Sequence, residues 1–266
     1  MSKRAVVTGC SRGIGRAVAE MLLAEGWSVC GLSRTDPRLK HRQFTWWRRD
    51  IADAGFLLPR PWASLDALVH CAGIRGPYGL LVDVDAAAWL ATIDTNLTGT
   101  FRVVSAALPL LRRSEDARIL LFSGGGAFDP SPGYSAYAVA KAGAVSLMET
   151  LAEELAGTGV AVNCVAPGFV ATDIHAGTPL EGKSDGGMAM PTVVACVRHL
   201  LSPAAQGLSG RTISAAHDDW PHITPDSVPA IMASRMGRRD RIKVQRLAEV
   251  ARYAQRNGAP AGMAAR

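Results

Sequence analysis

The sequence predicts an α/β fold in which a doubly wound parallel sheet carries helices on both faces. Three observations predict it. Short apolar runs alternate with helix-length amphipathic stretches through the first 216 residues. A glycine-rich turn, Thr8-Gly9-Cys10-Ser11-Arg12-Gly13-Ile14-Gly15, joins the first run to the first stretch. The composition, 48% hydrophobic and 20% charged over 266 residues, belongs to a globular chain able to bury one large core.

Taken in order, the first strand is Arg4–Thr8, where a basic start runs directly into Ala5-Val6-Val7. A helix near 13–26 opens at Gly13, and strands at Ser28–Ser33 and Phe44–Arg48 follow. Between the third and fourth strands only about 18 residues intervene, and they contain Pro59 and Pro61, so any helix there is short or absent. The fourth strand, Ala67–Cys71, precedes a helical stretch at 86–111. Arg118–Phe122, a helix at 136–156, Val160–Val165, a helix at 191–201 and Arg211–Ser214 complete the alternation. Parallel strands need right-handed crossovers, which cover both faces with helices and leave ligands at the carboxyl ends of the strands. Beyond 217, Pro221, Pro225 and Pro229 mark an irregular extension, which divides the chain into units 1–216 and 217–266.

No apolar run approaches the roughly 18 residues of a membrane span, and the N-terminus reads as a strand rather than a leader. The five cysteines, Cys10, Cys30, Cys71, Cys164 and Cys196, are odd in number and contain no CxxC pair. That argues against a disulfide framework or a metal site, and the expected setting is a reducing cytoplasm. The net charge of +6 is not spread evenly: residues 1–220 carry 20 Lys+Arg and 20 Asp+Glu, whereas 221–266 carry 9 and 3. Arg235, Arg238, Arg239, Arg241, Lys243 and Arg246 lie beside Leu247, Val250, Ala251 and Ala254, the pattern of a partly amphipathic helix. A solvated face or a subunit contact is the expected use, and a nucleic-acid partner is not expected.

Glycines at 9, 13 and 15 let the backbone turn tightly and approach a pyrophosphate, which the amides of a helix N-terminus then hold. Gly9, Ser11, Arg12, Gly13, Ile14 and Gly15 are therefore candidate dinucleotide contacts. An acidic residue ending the second strand would hydrogen-bond a free ribose 2′-hydroxyl and repel a 2′-phosphate. This chain has Ser33 and Arg34 there, and with Arg12 two guanidinium groups can clamp a phosphate, so NADPH/NADP+ is the expected cofactor. After the third strand, Asp50-Ile51 either meets the adenine amino group or caps a turn.

Tyr137 and Lys141, at i and i+4 on a helix, share one face. A positive charge nearby stabilises phenolate, which would make Tyr137 a usable general acid and base, while Lys141 also holds the nicotinamide ribose.

The TGxxxGxG turn at 8–15, Cys71-Ala72-Gly73, Asn96-Leu-Thr-Gly99, Tyr137-xxx-Lys141 and Pro167-Gly168-xxx-Thr172 together resemble the short-chain dehydrogenase/reductase family, in order and spacing, across roughly 80% of the chain. The resemblance implies a Rossmann-type sheet of seven parallel strands and a homodimer or homotetramer. It also implies that Asn96 holds a water linking Lys141 to solvent and that Cys71, Ala72 and Gly73 lie beside the cofactor ribose. Thr172, with Pro167, Gly168 and Val170, would hold the nicotinamide carboxamide. Residue by residue other roles stay open: Asn96 as a helix-kink residue, Thr172 as a helix cap, Pro167-Gly168 as an ordinary turn.

The chain departs from the family at one place. A serine that binds the substrate carbonyl normally stands 13 positions before the tyrosine, and here that position is Gly124, next to Ser123. Either Ser123 reaches the carbonyl through the Gly124-Gly125-Gly126 loop, or an amide or a substrate hydroxyl supplies the bond. Losing one such donor costs roughly 2.7–4 kcal/mol of transition-state stabilisation if nothing replaces it.

The expected pocket is lined after the fourth strand by Ile74, Arg75 and Tyr78, after the fifth by Phe128, Asp129 and Tyr134, and by a lid at 173–190 with His175, Glu181 and Lys183. A small polar carbonyl or alcohol suits such a lining, which makes the chain an NADPH-dependent ketoreductase. The other readings are an epimerase or dehydratase with retained cofactor, and a non-catalytic dinucleotide-binding scaffold.

Overall fold

The computed structural model describes residues 2–176, 178–182 and 187–226. Its strands are β1 (Arg4–Thr8), β2 (Ser28–Ser33), β3 (Phe44–Arg48), β4 (Ala67–His70), β5 (Ala117–Phe122), β6 (Val160–Ala166) and β7 (Arg211–Ser214). All pair in parallel, in the order β3-β2-β1-β4-β5-β6-β7. The order reverses between β1 and β4, and such a switch point leaves a crevice at the carboxyl ends of the two strands.

The helices are α1 (Gly13–Ala24), α2 (Ala86–Ile93), α3 (Gly99–Leu111), α4 (Ser135–Glu154) and α5 (Met190–Leu200). Successive strand residues face opposite sides of the sheet, so the central strands feed two cores. Ala5, Val7, Ala67, Val69 and Leu120 pack with α1 and α5, whereas Val6, Leu68, Ile119 and Leu121 pack with α3 and α4. This is why the strands read as continuous apolar runs. No helix forms between β3 and β4; Phe56, Leu58 and Leu65 from that segment close the second core instead.

Three expectations change in detail. The fourth strand ends at His70 rather than Cys71, which starts the next loop. The helical stretch at 86–111 is interrupted by a π-turn, Asp94–Thr98, that separates α2 from α3. The body of the fold also does not stop at residue 216: Trp220 lies against His199 with ring centroids 5.8 Å apart, and Ile223 is buried in the first core. The basic run from Arg235 to Arg246 and Lys183 of the lid fall outside the described residues. Among the described residues no helix is long and apolar enough to cross a membrane.

Candidate active site

The crevice between β1 and β4 is lined first by the glycine turn. Gly9 has φ +68°, and a Cβ there would sit 2.9 Å from the Cα and amide nitrogen of Ala72. Gly15 packs directly on the Gly9 carbonyl, and Gly13, at φ +56°, faces the Thr172 side chain at 3.5 Å. The turn thus holds β1, the loop after β4 and the loop after β6 within backbone contact. Helix α1 starts here with no side-chain cap and no acidic residue in its first turn. Its free amides and its dipole favour an anion, and the arrangement fits a dinucleotide pyrophosphate.

Toward the adenosine end the two arginines are exposed and loosely held. Arg34 lies 3.9 Å from Asp50 and Arg12 lies 3.3 Å from Asp173, both pairs on the surface. Asp50 spends its other oxygen on the Ala52 amide, so it caps a turn. Ile51 is buried against Gly99. Ser33 does not offer its hydroxyl to a ligand, because it donates to the Thr35 carbonyl at 2.7 Å and accepts from Trp46 Nε1 at 2.9 Å. The hydroxyl fixes the end of β2 and leaves Arg34 as the group that faces outward.

On α4, Lys141 is buried and donates to the carbonyl of Phe122, the last residue of β5, at 2.8 Å. Its Nζ lies 5.5 Å from the centre of the Tyr137 ring one helical turn earlier. Two ammonium hydrogens remain beyond the one given to Phe122. Gly124 borders the phenol: a Cβ there would stand 3.4 Å from Tyr137 Oη and 3.3 Å from Cε1. Position 124 therefore occupies the place next to the phenol, with no slip of register, and simply brings no side chain to it.

The neighbouring Ser123 does not take over. It is buried, its amide completes the sheet by bonding the Val165 carbonyl, and its Oγ is sealed from solvent without a hydrogen-bond partner. The expected reach of Ser123 to a substrate is not met. Phe128 is half-buried and packs against the second core.

Other expected pocket residues do converge. Tyr78 and Tyr134 meet with ring centroids 4.9 Å apart and planes tilted by 50°, an approach that Gly133 permits, since a Cβ there would collide with the Tyr78 ring. The Arg75 guanidinium covers two rings at once, 4.2 Å from the centre of Tyr134 and 4.5 Å from that of Tyr137. Its Nε is buried with no hydrogen-bond partner. His175 is buried against Phe169 at 4.7 Å, and its Nδ1 is also without a partner. Burial, and then the charge of Arg75, hold the His175 imidazole below its ordinary pKa of 6.5, which keeps it neutral at pH 7. Thr172 does not cap the short turn Asp173–His175 with its side chain, and Val170 is part of the first core. Gly168, at φ +75°, makes the turn after β6.

The sequence had pointed to Asn96 and not to its supports. Asn96 is buried in the π-turn, and its side chain bonds both the amide and the carbonyl of Ile74, at 2.8 and 2.7 Å. Gly73 leaves room for it, with a Cβ position 3.0 Å from Asn96 Oδ1. The π-turn itself is held by a buried chain of hydrogen bonds centred on His70. The Ala72 amide donates to Thr8 Oγ1 at 3.1 Å, which lies 2.9 Å from His70 Nδ1. On the other side Thr100 Oγ1 donates to the Asn96 carbonyl at 2.7 Å and lies 3.1 Å from His70 Nε2. Since the Thr100 hydrogen is already given to Asn96, Nε2 must be the donor to Thr100, and Nδ1 accepts from Thr8. Complete burial, and then the charge of Lys141, push the His70 pKa down to about 3. A lone polar residue ending the apolar strand Ala67-Leu68-Val69 was the signal that could have found it.

A nucleotide cradle, a tyrosine and a buried lysine on one helix face meet at the switch point of a seven-stranded parallel sheet. Residues 3–181 match the family model described as short chain dehydrogenase. The chain belongs to the short-chain dehydrogenase family. The 3-oxoacyl-(acyl-carrier-protein) reductase of Staphylococcus aureus is 33% identical over 238 residues, covering 80% of this chain and 96% of that one. Among solved structures, the aldohexose dehydrogenase of Thermoplasma acidophilum in ligand-free form superimposes with a TM-score of 0.70 at 26% identity, covering 86% of this chain and 97% of that one. A short chain dehydrogenase from Escherichia coli, complexed with NADPH, shares the fold with a TM-score of 0.72 at 24% identity, over 80% of this chain and 96% of that one. As a short-chain dehydrogenase, the chain is an NAD(P)-dependent oxidoreductase that acts on CH–OH or C=O groups of a small molecule.

Proposed function

We propose that the protein is an NADPH-dependent ketoreductase for small polar carbonyl compounds, with Tyr137 as its proton donor and acceptor. The observation that carries this reading is the placement of the Tyr137 phenol beside Lys141 and the empty side of Gly124, at the carboxyl ends of β4 and β5. A bound nicotinamide cofactor supplies or removes the hydride, and the remaining chemistry belongs to the chain. In the reducing direction Tyr137 gives its proton to the oxygen on which negative charge develops. Lys141, anchored by the Phe122 carbonyl, turns its remaining hydrogens to the cofactor ribose. Asn96 and Gly73 shape the loop after β4 so that Ala72 and Cys71 can border that ribose.

Preference for NADPH rests on the two exposed guanidinium groups, Arg12 and Arg34, and on the absence of a carboxylate directly after β2. The relative solved with NADPH agrees with it. Residues 1–216 with the short segment to Ile223 form the catalytic unit, 173–190 serve as its lid, and 217–266 are an extension. Leu90, Phe101 and Val139, on α2, α3 and α4, are each about half exposed or more and fit self-association into a homodimer or homotetramer.

The test is to follow NADPH absorbance with a panel containing ethyl acetoacetate, simple hydroxyketones and aldoses. Stoichiometric consumption with alcohol formation is expected. Product without net consumption would assign an epimerase or dehydratase instead, and cofactor binding with no product from any compound would assign a scaffold.

A further inference from the structure

Gly124 removes a hydroxyl from beside the phenol, and among the described residues Arg75 is a donor that reaches the same phenol and that the Tyr137–Lys141 pair leaves unused. The half-buried Arg75 lies over the rings of Tyr134 and Tyr137, 4.2 and 4.5 Å from their centres, and its Nε is enclosed with no acceptor. Contact with two rings restrains the guanidinium before a substrate arrives. The terminal guanidinium nitrogens are not among the enclosed atoms, and they are the donors that a ligand oxygen can reach. Ser123, the nearest hydroxyl in sequence, is closed off.

We propose that Arg75 replaces the missing serine and donates a hydrogen bond to the reacting carbonyl oxygen alongside Tyr137. The inference rests on the ketoreductase reading above. As hydride reaches the carbonyl carbon, a C–H bond forms and the C=O π pair moves onto oxygen. The Tyr137 proton then completes the alcohol. Arg75 keeps all of its protons and contributes a fixed positive charge where negative charge develops. The ketone is reduced and the nicotinamide is oxidised, so electrons and protons balance without a further reactant.

The consequence for specificity is that Gly124 and Arg75 form one device. An L-residue is compatible with the backbone at 124, because its φ is not in the left-handed region, and a serine Cβ needs only a small adjustment against the Tyr137 ring. Serine at 124 therefore returns a donor to the site without disturbing Arg75.

The experiment uses the full chain with ethyl acetoacetate, a neutral keto ester, and acetoacetate, its anionic counterpart. Arg75→Met, which keeps an apolar stack on the tyrosines, is expected to lower kcat for ethyl acetoacetate by about 10²–10³-fold with KM little changed. Adding Gly124→Ser to that variant is expected to restore kcat by about tenfold. Arg75→Lys, which keeps the charge and loses the planar fork, should fall between parent and Arg75→Met. A readout without turnover is the infrared carbonyl stretch of ketone-labelled ethyl acetoacetate on the NADP+ form. It should shift to lower frequency in the parent, lose the shift in Arg75→Met and regain it with Gly124→Ser. An unchanged kcat in Arg75→Met overturns the proposal. So does a loss confined to KM for acetoacetate, which would make Arg75 a carboxylate anchor. A parent inert toward every ketone defeats the reductase reading itself, and the inference falls with it.

Discussion

Acidification should destabilise this protein through one residue in a measurable way. His70 is held neutral in the core, with its pKa lowered from 6.5 to about 3 by burial and by the charge of Lys141. Below pH 6.5 the unfolded chain takes up a proton at this position, whereas the folded chain does not until about pH 3. The unfolded state then binds more protons, so stability is complete above pH 6.5 and declines as pH falls toward 3. At about 1.4 kcal/mol per unit, the whole window is worth about 5 kcal/mol, and about 3 kcal/mol of it is gone by about pH 4.5. Urea titrations at a series of pH values on the parent and on His70→Gln isolate the effect, because carboxylates and other histidines cancel in the difference. His70→Gln is expected to be less stable than the parent at neutral pH. The gap should narrow by about 1.4 kcal/mol for each pH unit below about 6.5. A gap that stays constant down to pH 4.5 would show that His70 accepts its proton equally in both states, and the hydrogen-bond order deduced around it would be wrong.

Other outcomes follow from the same structure. Tyr137→Phe should lower kcat by about 10²–10⁴-fold while leaving cofactor affinity and thermal unfolding close to the parent, measured by fluorescence titration and calorimetry. Arg34→Asp should weaken NADPH by at least about tenfold relative to NADH, since it exchanges a charge-assisted bond for repulsion; equal losses for both cofactors would contradict the phosphate clamp. Gly9→Ala places a Cβ 2.9 Å from the Ala72 backbone at φ +68°, and should cost about 1–3 kcal/mol of stability and most cofactor binding. Because burial and the charge of Arg75 lower the His175 pKa below 6.5, a His175→Gln variant should leave the kcat profile above pH 6.5 unchanged.

The central strands were legible because both of their faces are covered, which turns them into uninterrupted apolar runs such as Ala67-Leu68-Val69. The glycine turn and the Tyr137–Lys141 spacing were legible because each is local, and local backbone geometry follows from few residues. What was not legible depends on where side chains at strand ends turn. Ser33 ends β2 and Ser123 directly follows β5, yet one hydroxyl is consumed by Trp46 and Thr35 and the other is sealed inside. Phe128 packs against the second core, a contact no window of sequence contains. The π-turn at Asp94–Thr98 was hidden because an extra residue in a helix barely alters apolar periodicity. The location of Arg75 requires Tyr134 and Tyr137 to meet a loop about sixty positions away in the chain.

The chain of bonds through His70 has a consequence for observation. Both threonine hydroxyls in it donate and accept, so every hydrogen has a single address, and Thr8, His70, Asn96 and Thr100 are all buried. The ring hydrogen on Nε2 can trade with deuterium only when β1, β4 and α3 part. Its lifetime in heavy water, read from one imidazole resonance well separated from the amides, therefore serves as a clock for the opening of the sheet's centre.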